Sequence, residues 1–143
     1  MEHTGFGFDT VRQVVRYMQA ANLPLVVRVP SQSRHHISRA LDTGADGVMV
    51  PIVSSVEQAR AVLDAAKYWP DGTRGVALGL AHERFAVRSE PLLPRFAEQN
   101  ARTAIILQVD KIEMGQGVTT GYVTLLAEEL DVDPGQITTR IPP

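Results

Sequence analysis

The stretch that most constrains the fold of this chain is residues 23–30, LPLVVRVP. It is an apolar, valine-rich run of strand length, with Pro24 near its start and Pro30 at its end. A continuous apolar run between two helical patterns is typical of a buried parallel strand. Arg28 lies near its carboxyl end, where open α/β sheets and barrels bind their ligands. The run alone leaves open whether Arg28 belongs to a site or only to its rim.

Further strands and helices alternate with this run. Short apolar segments at 47–51 (GVMVP) and 103–109 (TAIILQV) predict two more strands, and 74–80 (RGVALGL) predicts a weaker fourth. The spacing of apolar residues predicts helices at residues 9–21, 33–41, 56–66 and 92–101. Asp9 is the expected N-cap of the first helix, and Ser54 or Ser55 that of the third. The alternation predicts an α/β fold with a parallel sheet and right-handed crossovers, and three or four strands are too few to close a barrel.

The last part of the chain has a different character. Residues 111–121, KIEMGQGVTTG, are rich in glycine, residues 118–130 have helical spacing, and residues 136–141 alternate like a short strand. The glycine segment lacks the third glycine of a dinucleotide-binding motif and the Gly-Lys-Ser/Thr of a phosphate loop. Free amides before a helix can still hold an anion, so the segment is only a weak generic motif.

The composition excludes several classes of protein. The 143 residues carry 14 basic and 16 acidic side chains, a net charge of −2 without a basic patch, so no nucleic-acid partner is expected. No apolar run reaches the roughly 18 residues of a membrane helix, and the first residues lack the pattern of a signal peptide, so no membrane partner is expected. The absence of cysteine excludes disulfides and thiolate chemistry and favours a cytoplasmic location.

Four polar residues are candidates for chemistry. His3 precedes a glycine turn and is either a general base or a polar residue of a frayed terminus. Asp42 ends a predicted helix, where the helix dipole disfavours a carboxylate, and it either orients another side chain or is a solvated helix end. Gln108 and Asp110 lie two residues apart at the end of the third strand and so face the same side. They suit Mg²⁺ or Mn²⁺, although a strand end that meets solvent has the same pattern.

Taken together, residues 1 to about 110 resemble the metal-dependent class II pyruvate aldolases of the HpcH/HpaI aldolase and citrate lyase superfamily. Four segments carry the resemblance: MEHTGFGFDTVRQVV, LVVRVPS, ALDTGADGVMVPIVSSVEQARAVLDAAKYWPDGTRGVALG and RFAEQNARTAIILQVD. The resemblance implies a (β/α)8 TIM barrel, here a partial one. It also implies an enzyme that makes or cleaves a carbon–carbon bond to a pyruvate enolate held on a divalent cation, Mg²⁺ or Mn²⁺.

The same resemblance implies roles for individual residues. His3 matches the catalytic base, and Asp42 the carboxylate that pairs with it. Arg28 matches the arginine that binds the keto-acid and stabilises the enolate, and Gln108 would lie beside the metal and contact the substrate. Asp110 stands where the family has a metal-ligating glutamate, so its shorter side chain changes the distance to the metal. The strand before His3 and the second metal carboxylate of the family have no counterpart in the 143 residues.

Residues 111–143 instead resemble a piece of the large subunit of molybdenum hydroxylases of the xanthine dehydrogenase type, through KIEMGQGVTTG and LLAEELDVDPGQI. In that family the Gly-Gln-Gly segment, here residues 115–117, contacts molybdopterin. The segment is short and lacks every other element of such an enzyme, so molybdopterin binding is not expected. The resemblances divide the chain into an aldolase-type partial barrel, 1–110, and a tail, 111–143, that adds a helix and a strand outside the barrel.

The expected function is therefore a metal-dependent lyase that cleaves 4-hydroxy-2-oxo acids through a pyruvate enolate, impaired by truncation. One alternative is a non-catalytic chimeric or truncated fragment, because the open strand edges of an unclosed barrel favour association, including with other copies of the chain. A second alternative is a fragment of a molybdopterin-associated oxidoreductase. The expected partner is a small keto-acid; the acceptor aldehyde is not determined by the residues.

Overall fold

The computed structural model describes residues 1, 3–109 and 117–139, which form five helices and a three-stranded sheet. The helices are α1 (Phe8–Ala20), α2 (Arg34–Asp42), α3 (Val56–Ala66), α4 (Leu92–Arg102) and α5 (Val118–Leu130). The strands are β1 (Val26–Arg28), β2 (Gly47–Val50) and β3 (Ala104–Leu107). Short 3-10 turns lie at Ala81–Glu83 and Pro134–Gln136. None of the described helices has the length and apolar character needed to span a bilayer.

The sheet is parallel, with β2 between β1 and β3. In its register Val48 is level with Val27 on one side and with Ile105 on the other. Helix α2 lies between β1 and β2, and helices α3 and α4 lie between β2 and β3, so each parallel step has a helical crossover, as the alternation of the sequence predicts. The α/β class, the parallel strands and the flanking helices are confirmed.

The two faces of the sheet have different surroundings. Val27, Val48 and Val50 point to the helical side and belong to the apolar core, where they are almost completely buried. The helical part of this core consists mainly of Val11, Val15, Ile37, Ala40, Leu41, Ala59 and Val62. Because side chains alternate along a strand, Val26 and Ile106 point to the opposite face, where they are 40% and 41% exposed. This second face, which Val26, Met49 and Ile106 share, is called the open face below.

Two local predictions about helix starts have different outcomes. Ser55 caps α3, because its hydroxyl oxygen accepts the backbone N–H of Gln58 at 3.2 Å. Asp9 is not the N-cap of α1: the helix begins one residue earlier, at Phe8, with Gly7 in the capping position. Asp9 instead lies in the first turn and pairs with Arg12 at 3.1 Å, where its charge still favours the positive end of the helix dipole.

Two predicted strands are not found in the described residues. Residues 74–80 have no strand, and Gly79 within them adopts a left-handed φ of +67° that interrupts an extended run. In the predicted strand at 136–141, the described part, 136–139, also has none. There the side chain of Asp133 accepts the N–H of Gly135 at 2.6 Å and Pro134 starts a 3-10 turn, which competes with extension.

Helix α5 packs on the rest of the fold although it lies in the predicted tail. Arg60 of α3 donates from Nη2 to the backbone carbonyl of Glu129 at 2.7 Å and also pairs with the Glu129 carboxylate. Ala127 is buried, and Leu126 packs against the main apolar core. Helix α5 therefore packs on α3 and on the main apolar core.

Candidate functional site

The carboxyl edge of the sheet holds two of the predicted site residues. Arg28 is the last residue of β1, and the N–H of Val29 continues the ladder to the Met49 carbonyl at 3.0 Å. Gln108 directly follows β3, and its N–H donates to the Val50 carbonyl at 2.9 Å. Since β2 separates the two strands, their backbones lie about 10 Å apart. A small acid could therefore lie between the two side chains.

Alternation also sets the face on which these side chains lie. Arg28 is level with Met49, which is level with Ile106, so all three point to the open face. The hydrogen bonds between β2 and β3 continue as far as Gln108, which is two residues beyond Ile106. The Gln108 side chain therefore points to the same face as that of Ile106. Arg28 is partly exposed and Gln108 is exposed. The structure thus brings these two predicted residues to the same edge and the same face.

The loop that follows β2, residues 51–54, lies between them and is held by three elements. The N–H of Val53 donates to the Gln108 carbonyl at 2.8 Å. The side-chain amide of Gln32, from the loop after β1, donates to the backbone carbonyl of Ile52 and more weakly to that of Pro51. The N–H of Ser54 donates to the side chain of Gln58 at 2.8 Å. Sequence reasoning gave no role to Gln32 or Ile52, because their contacts join segments that are distant along the chain.

His3 lies on a segment that ends at the same edge. Phe8, five residues later, packs on the first turns of α2, with Arg39 Cζ 4.2 Å from the centroid of its ring and the His35 ring edge-on at 6.2 Å. The amino end of α2 follows β1, so this contact fixes the segment near the carboxyl edge of the sheet. His3 itself is exposed, with a left-handed φ of +59°. His3 is thus an exposed residue five positions before the contact that Phe8 makes near the carboxyl edge.

Asp42 lies at the opposite edge. It ends α2, and the four residues after it lead into the amino end of β2. There Asp46 joins all three strands, since its side chain accepts the N–H of Leu25 at 2.8 Å and its carbonyl accepts that of Ala104 at 3.0 Å. The Asp42 carboxylate binds Arg74 Nη2 at 2.6 Å. Its position does not support the predicted pairing with His3.

A buried polar cluster surrounds Asp42 at this amino edge, and sequence reasoning did not find it. The Arg74 guanidinium lies 4.7 Å from the centroid of the Tyr68 ring, and the Tyr68 hydroxyl lies 3.3 Å from His82 Nε2. Burial and the nearby charge of Arg74 lower the pKa of His82, while burial raises the pKa of the Tyr68 hydroxyl. Both groups are therefore held neutral near pH 7. A small cavity at this edge is lined in part by Arg74 and His82, and Arg28 and Gln108 do not line it.

A second buried ion pair stabilises the same region. Arg95 of α4 donates to Glu83 Oε1 from Nε at 2.9 Å and from Nη2 at 2.6 Å, and the N–H of Gly79 donates to Oε2 at 2.7 Å. Burial opposes ionisation of Glu83, but the hydrogen bonds from Arg95 and Gly79 outweigh it and lower the pKa of Glu83. A fully hydrogen-bonded buried pair of this kind fixes the position of α4 against the 3-10 turn at Ala81–Glu83.

The residues that would hold a metal are not assembled in the described part of the chain. Among residues 1, 3–109 and 117–139, no three His, Asp or Glu side chains form a group that could bind a metal ion. Asp110, the predicted ligand, lies outside the described residues, as do Gly115 and Gln116 of the predicted molybdopterin segment. Gly117 is described and precedes α5 with a φ of +73°.

Comparison with known proteins decides the family. The family model described as HpcH/HpaI aldolase/citrate lyase matches residues 7–130, most of the chain. This chain belongs to the HpcH/HpaI aldolase/citrate lyase family. The match continues past residue 110 and includes α5. The division at 110 and the molybdenum hydroxylase resemblance of the tail stay predictions.

Named aldolases share part of their length with this chain. A 2-keto-3-deoxy-L-rhamnonate aldolase of Klebsiella pneumoniae is 35% identical over 135 residues, which include 83% of this chain and 49% of the relative. A 4-hydroxy-2-oxovalerate aldolase of Novosphingobium aromaticivorans is 41% identical over 85 residues, 59% of this chain and 30% of the relative. The chain therefore spans half or less of the length of these relatives.

Solved structures of the HpcH/HpaI family show the same relation. An aldolase from Desulfitobacterium hafniense superposes on 92% of this chain with a TM-score of 0.73 and 26% identity, over 54% of its own length. A family protein from Burkholderia cenocepacia superposes on 93% with a TM-score of 0.72 and 32% identity, over 51% of its length. The relatives have TIM-barrel folds, so the three described strands are part of such a barrel and the open face is its interior.

Proposed function

We propose that this chain carries part of the active site of an aldolase that cleaves 4-hydroxy-2-oxo acids to pyruvate and an aldehyde. Membership of an aldolase family supports the reaction class. The observation that carries the proposal is the position of Arg28, a cation at the carboxyl end of a barrel strand, on the face that becomes the barrel interior. In TIM-barrel enzymes this end of the strands bears the catalytic residues.

Arg28 suits the keto-acid end of such a substrate. Its guanidinium presents several N–H donors in a fixed plane, so it can bind a carboxylate or an enolate oxygen. In the cleavage the C3–C4 bond breaks, the C4 hydroxyl loses its proton, and the bonding electrons pass to the 2-oxo group as an enolate. Protonation at C3 then gives pyruvate. A cation beside the developing negative charge lowers the barrier to this step.

His3 is the proposed proton acceptor, and Gln108 the proposed second contact to the acid. His3 is exposed on the segment that Phe8 fixes near the carboxyl edge, and an imidazole can take the C4 hydroxyl proton near neutral pH. The exposed amide of Gln108 lies on the same face as Arg28. Asp42 is bound to Arg74 at the other edge, so it is left out of this set.

The proposal includes a divalent cation, with Asp110 as one of its ligands. The described residues do not form a site for it by themselves, and Asp110 would be the first ligand beside the Gln108 amide. When bound, Mg²⁺ or Mn²⁺ would polarise the 2-oxo group and stabilise negative charge. Titration with Mn²⁺, followed by electron paramagnetic resonance of wild-type protein and Asp110→Asn, tests binding separately from turnover.

The decisive experiment measures pyruvate release from a 4-hydroxy-2-oxo acid with added Mn²⁺. We expect Arg28→Ala and His3→Ala each to lower kcat/KM at least about 100-fold, and Arg28→Lys to recover only part of the loss, since a lysine lacks the planar fork. Arg12→Ala, an exposed arginine on α1, is the matched control and should keep full activity. Absence of pyruvate release by folded wild-type protein would refute the activity but not the family.

A non-catalytic chain is the second candidate, and one observation favours it. In the described residues β1 and β3 each pair on one side only, so both edges of the sheet and the open face are available for association. A protein without turnover would then form higher assemblies through these edges. Size exclusion with light scattering measures the assembly state, and the pyruvate assay measures turnover. Higher assemblies without pyruvate release would favour the non-catalytic chain over the aldolase.

A further inference from the structure

Ile52 has a backbone conformation that its side chain disfavours. Its φ is +56°, in the left-handed region, where β-branched residues are rare because the side chain crowds the following carbonyl group. The residue lies two positions beyond β2, the central strand, at the carboxyl edge that holds Arg28 and Gln108. Its side chain is 59% exposed, so the core gains little from it. Packing therefore does not explain why an isoleucine stands here.

The surrounding contacts hold Ile52 in this conformation. On one side, the amide of Gln32 donates to the Ile52 carbonyl. On the other side, the Val53 side chain is buried in the core, with 3% of its surface exposed, and the Val53 N–H donates to the backbone carbonyl of Gln108 at 2.8 Å. The loop is thus fixed to the strand ends on both sides, and an apolar side chain is presented to solvent between them. Strained residues that the surroundings hold in place concentrate at functional sites.

We propose that Ile52 is a specificity-determining residue that contacts the aldehyde-derived part of the substrate and favours a short alkyl chain over a polyhydroxylated one. Gln32 is its positioning residue. The inference rests on the proposed function, in which Arg28 binds the acid end. A sec-butyl side chain has no hydrogen bond to give to the hydroxyl groups of a sugar-derived chain, while it can pack against an alkyl group.

The test compares kcat/KM for two 4-hydroxy-2-oxo acids, one with a methyl group on C4 and one with a polyhydroxylated chain there. We expect wild-type protein to prefer the methyl substrate. Ile52→Asn should lower kcat/KM for that substrate about tenfold and change the other less than threefold. Gln32→Leu should shift the ratio in the same direction. A purely structural role would lower both values together and leave their ratio unchanged.

One control variant and one further variant of Ile52 complete the experiment. Val87→Asn changes a fully exposed β-branched residue of a different loop and should leave the ratio unchanged. Ile52→Gly relieves the left-handed strain and should raise Tm by roughly 3 °C while it loses the preference. A fall in Tm would show that Ile52 is held for packing and would overturn the inference.

The outcomes separate this inference from the proposed function. An unchanged ratio in Ile52→Asn, with pyruvate still released, overturns the role of Ile52 and leaves the aldolase activity intact. Absence of pyruvate from both substrates with folded wild-type protein removes the proposed function and this inference together. A wild-type preference for the polyhydroxylated substrate also contradicts the role assigned to Ile52.

Discussion

Arg74 donates from Nη2 to the Asp42 carboxylate at 2.6 Å, and this ion pair ties the end of α2 to the segment that follows α3. The Arg74 side chain is 2% exposed and that of Asp42 31%, so one partner is buried and the other reaches the surface. Removing the carboxylate would leave a buried guanidinium without its counter-charge. The pair is therefore a structural contact at the amino edge of the sheet.

Asp42→Asn should lower the free energy of unfolding by about 2 kcal/mol, because the buried charge of Arg74 loses its ionic partner. Urea unfolding, followed by the fluorescence of Trp69, the single tryptophan, measures this change in the free energy of unfolding. Asp9→Asn, which breaks the exposed pair with Arg12, is the control and should cost less than 1 kcal/mol. Equal small losses in both variants would show that the Arg74 contact contributes little.

His82 should make stability depend on pH between neutrality and mild acid. Because the folded pKa is lowered by burial and by Arg74, the unfolded chain binds the proton first as pH falls. The contribution of neutral His82 to the stability of the folded protein is fully present above the pKa of the unfolded state, about 6.5. It is lost as the pH falls towards the pKa of the folded state. His82→Gln should flatten the stability profile from pH 7 to pH 5, measured by urea unfolding. A stability profile of His82→Gln as steep as that of wild type would contradict this role of His82.

Gly47→Ala should weaken the pairing of β2 with β3. A Cβ at this position would lie 2.5 Å from the Ala104 carbonyl oxygen and 2.7 Å from its Cβ, so the strands must move apart. We expect a loss of about 2 kcal/mol. Gly75→Ala, where a Cβ meets no atom within 4 Å, should be neutral or stabilise by roughly 0.5 kcal/mol. Thermal unfolding by circular dichroism compares the two, and equal Tm values would contradict the close approach.

Leu126→Ala tests whether the tail folds with the aldolase-type part. Leu126 of α5 packs against the main core, while its neighbour Leu125 is 43% exposed. We expect Leu126→Ala to lower the unfolding free energy by about 1 kcal/mol and Leu125→Ala to change it by less than about 0.5 kcal/mol. Trp69 lies outside the tail, so its fluorescence reports on the aldolase-type part. If the Trp69 transition of Leu126→Ala equals that of wild type, α5 is not part of the same cooperative unit.

Part of the site followed from local pattern and part did not. Arg28 and Gln108 were predicted at the ends of their strands because a buried parallel strand has a single carboxyl edge, and the structure places both there. Whether they bind substrate stays a proposal. Arg74, Tyr68 and His82 could not be grouped from sequence, because their contacts depend on the packing of a loop on two helices. A charged residue in a glycine-containing segment carries no local sign that it will be buried.

The sequence by itself determined the alternation of strands and helices, since apolar spacing records which side chains each element buries. It also determined the family, through ordered segments that span the core. Only the tertiary structure decided which end of the sheet Asp42 and its partner Arg74 occupy. Asp42 and Arg28 are fourteen residues apart in the chain, yet α2 runs antiparallel to the strands and carries Asp42 to the amino edge. The length and direction of one helix thus separate two residues that motif order alone would group.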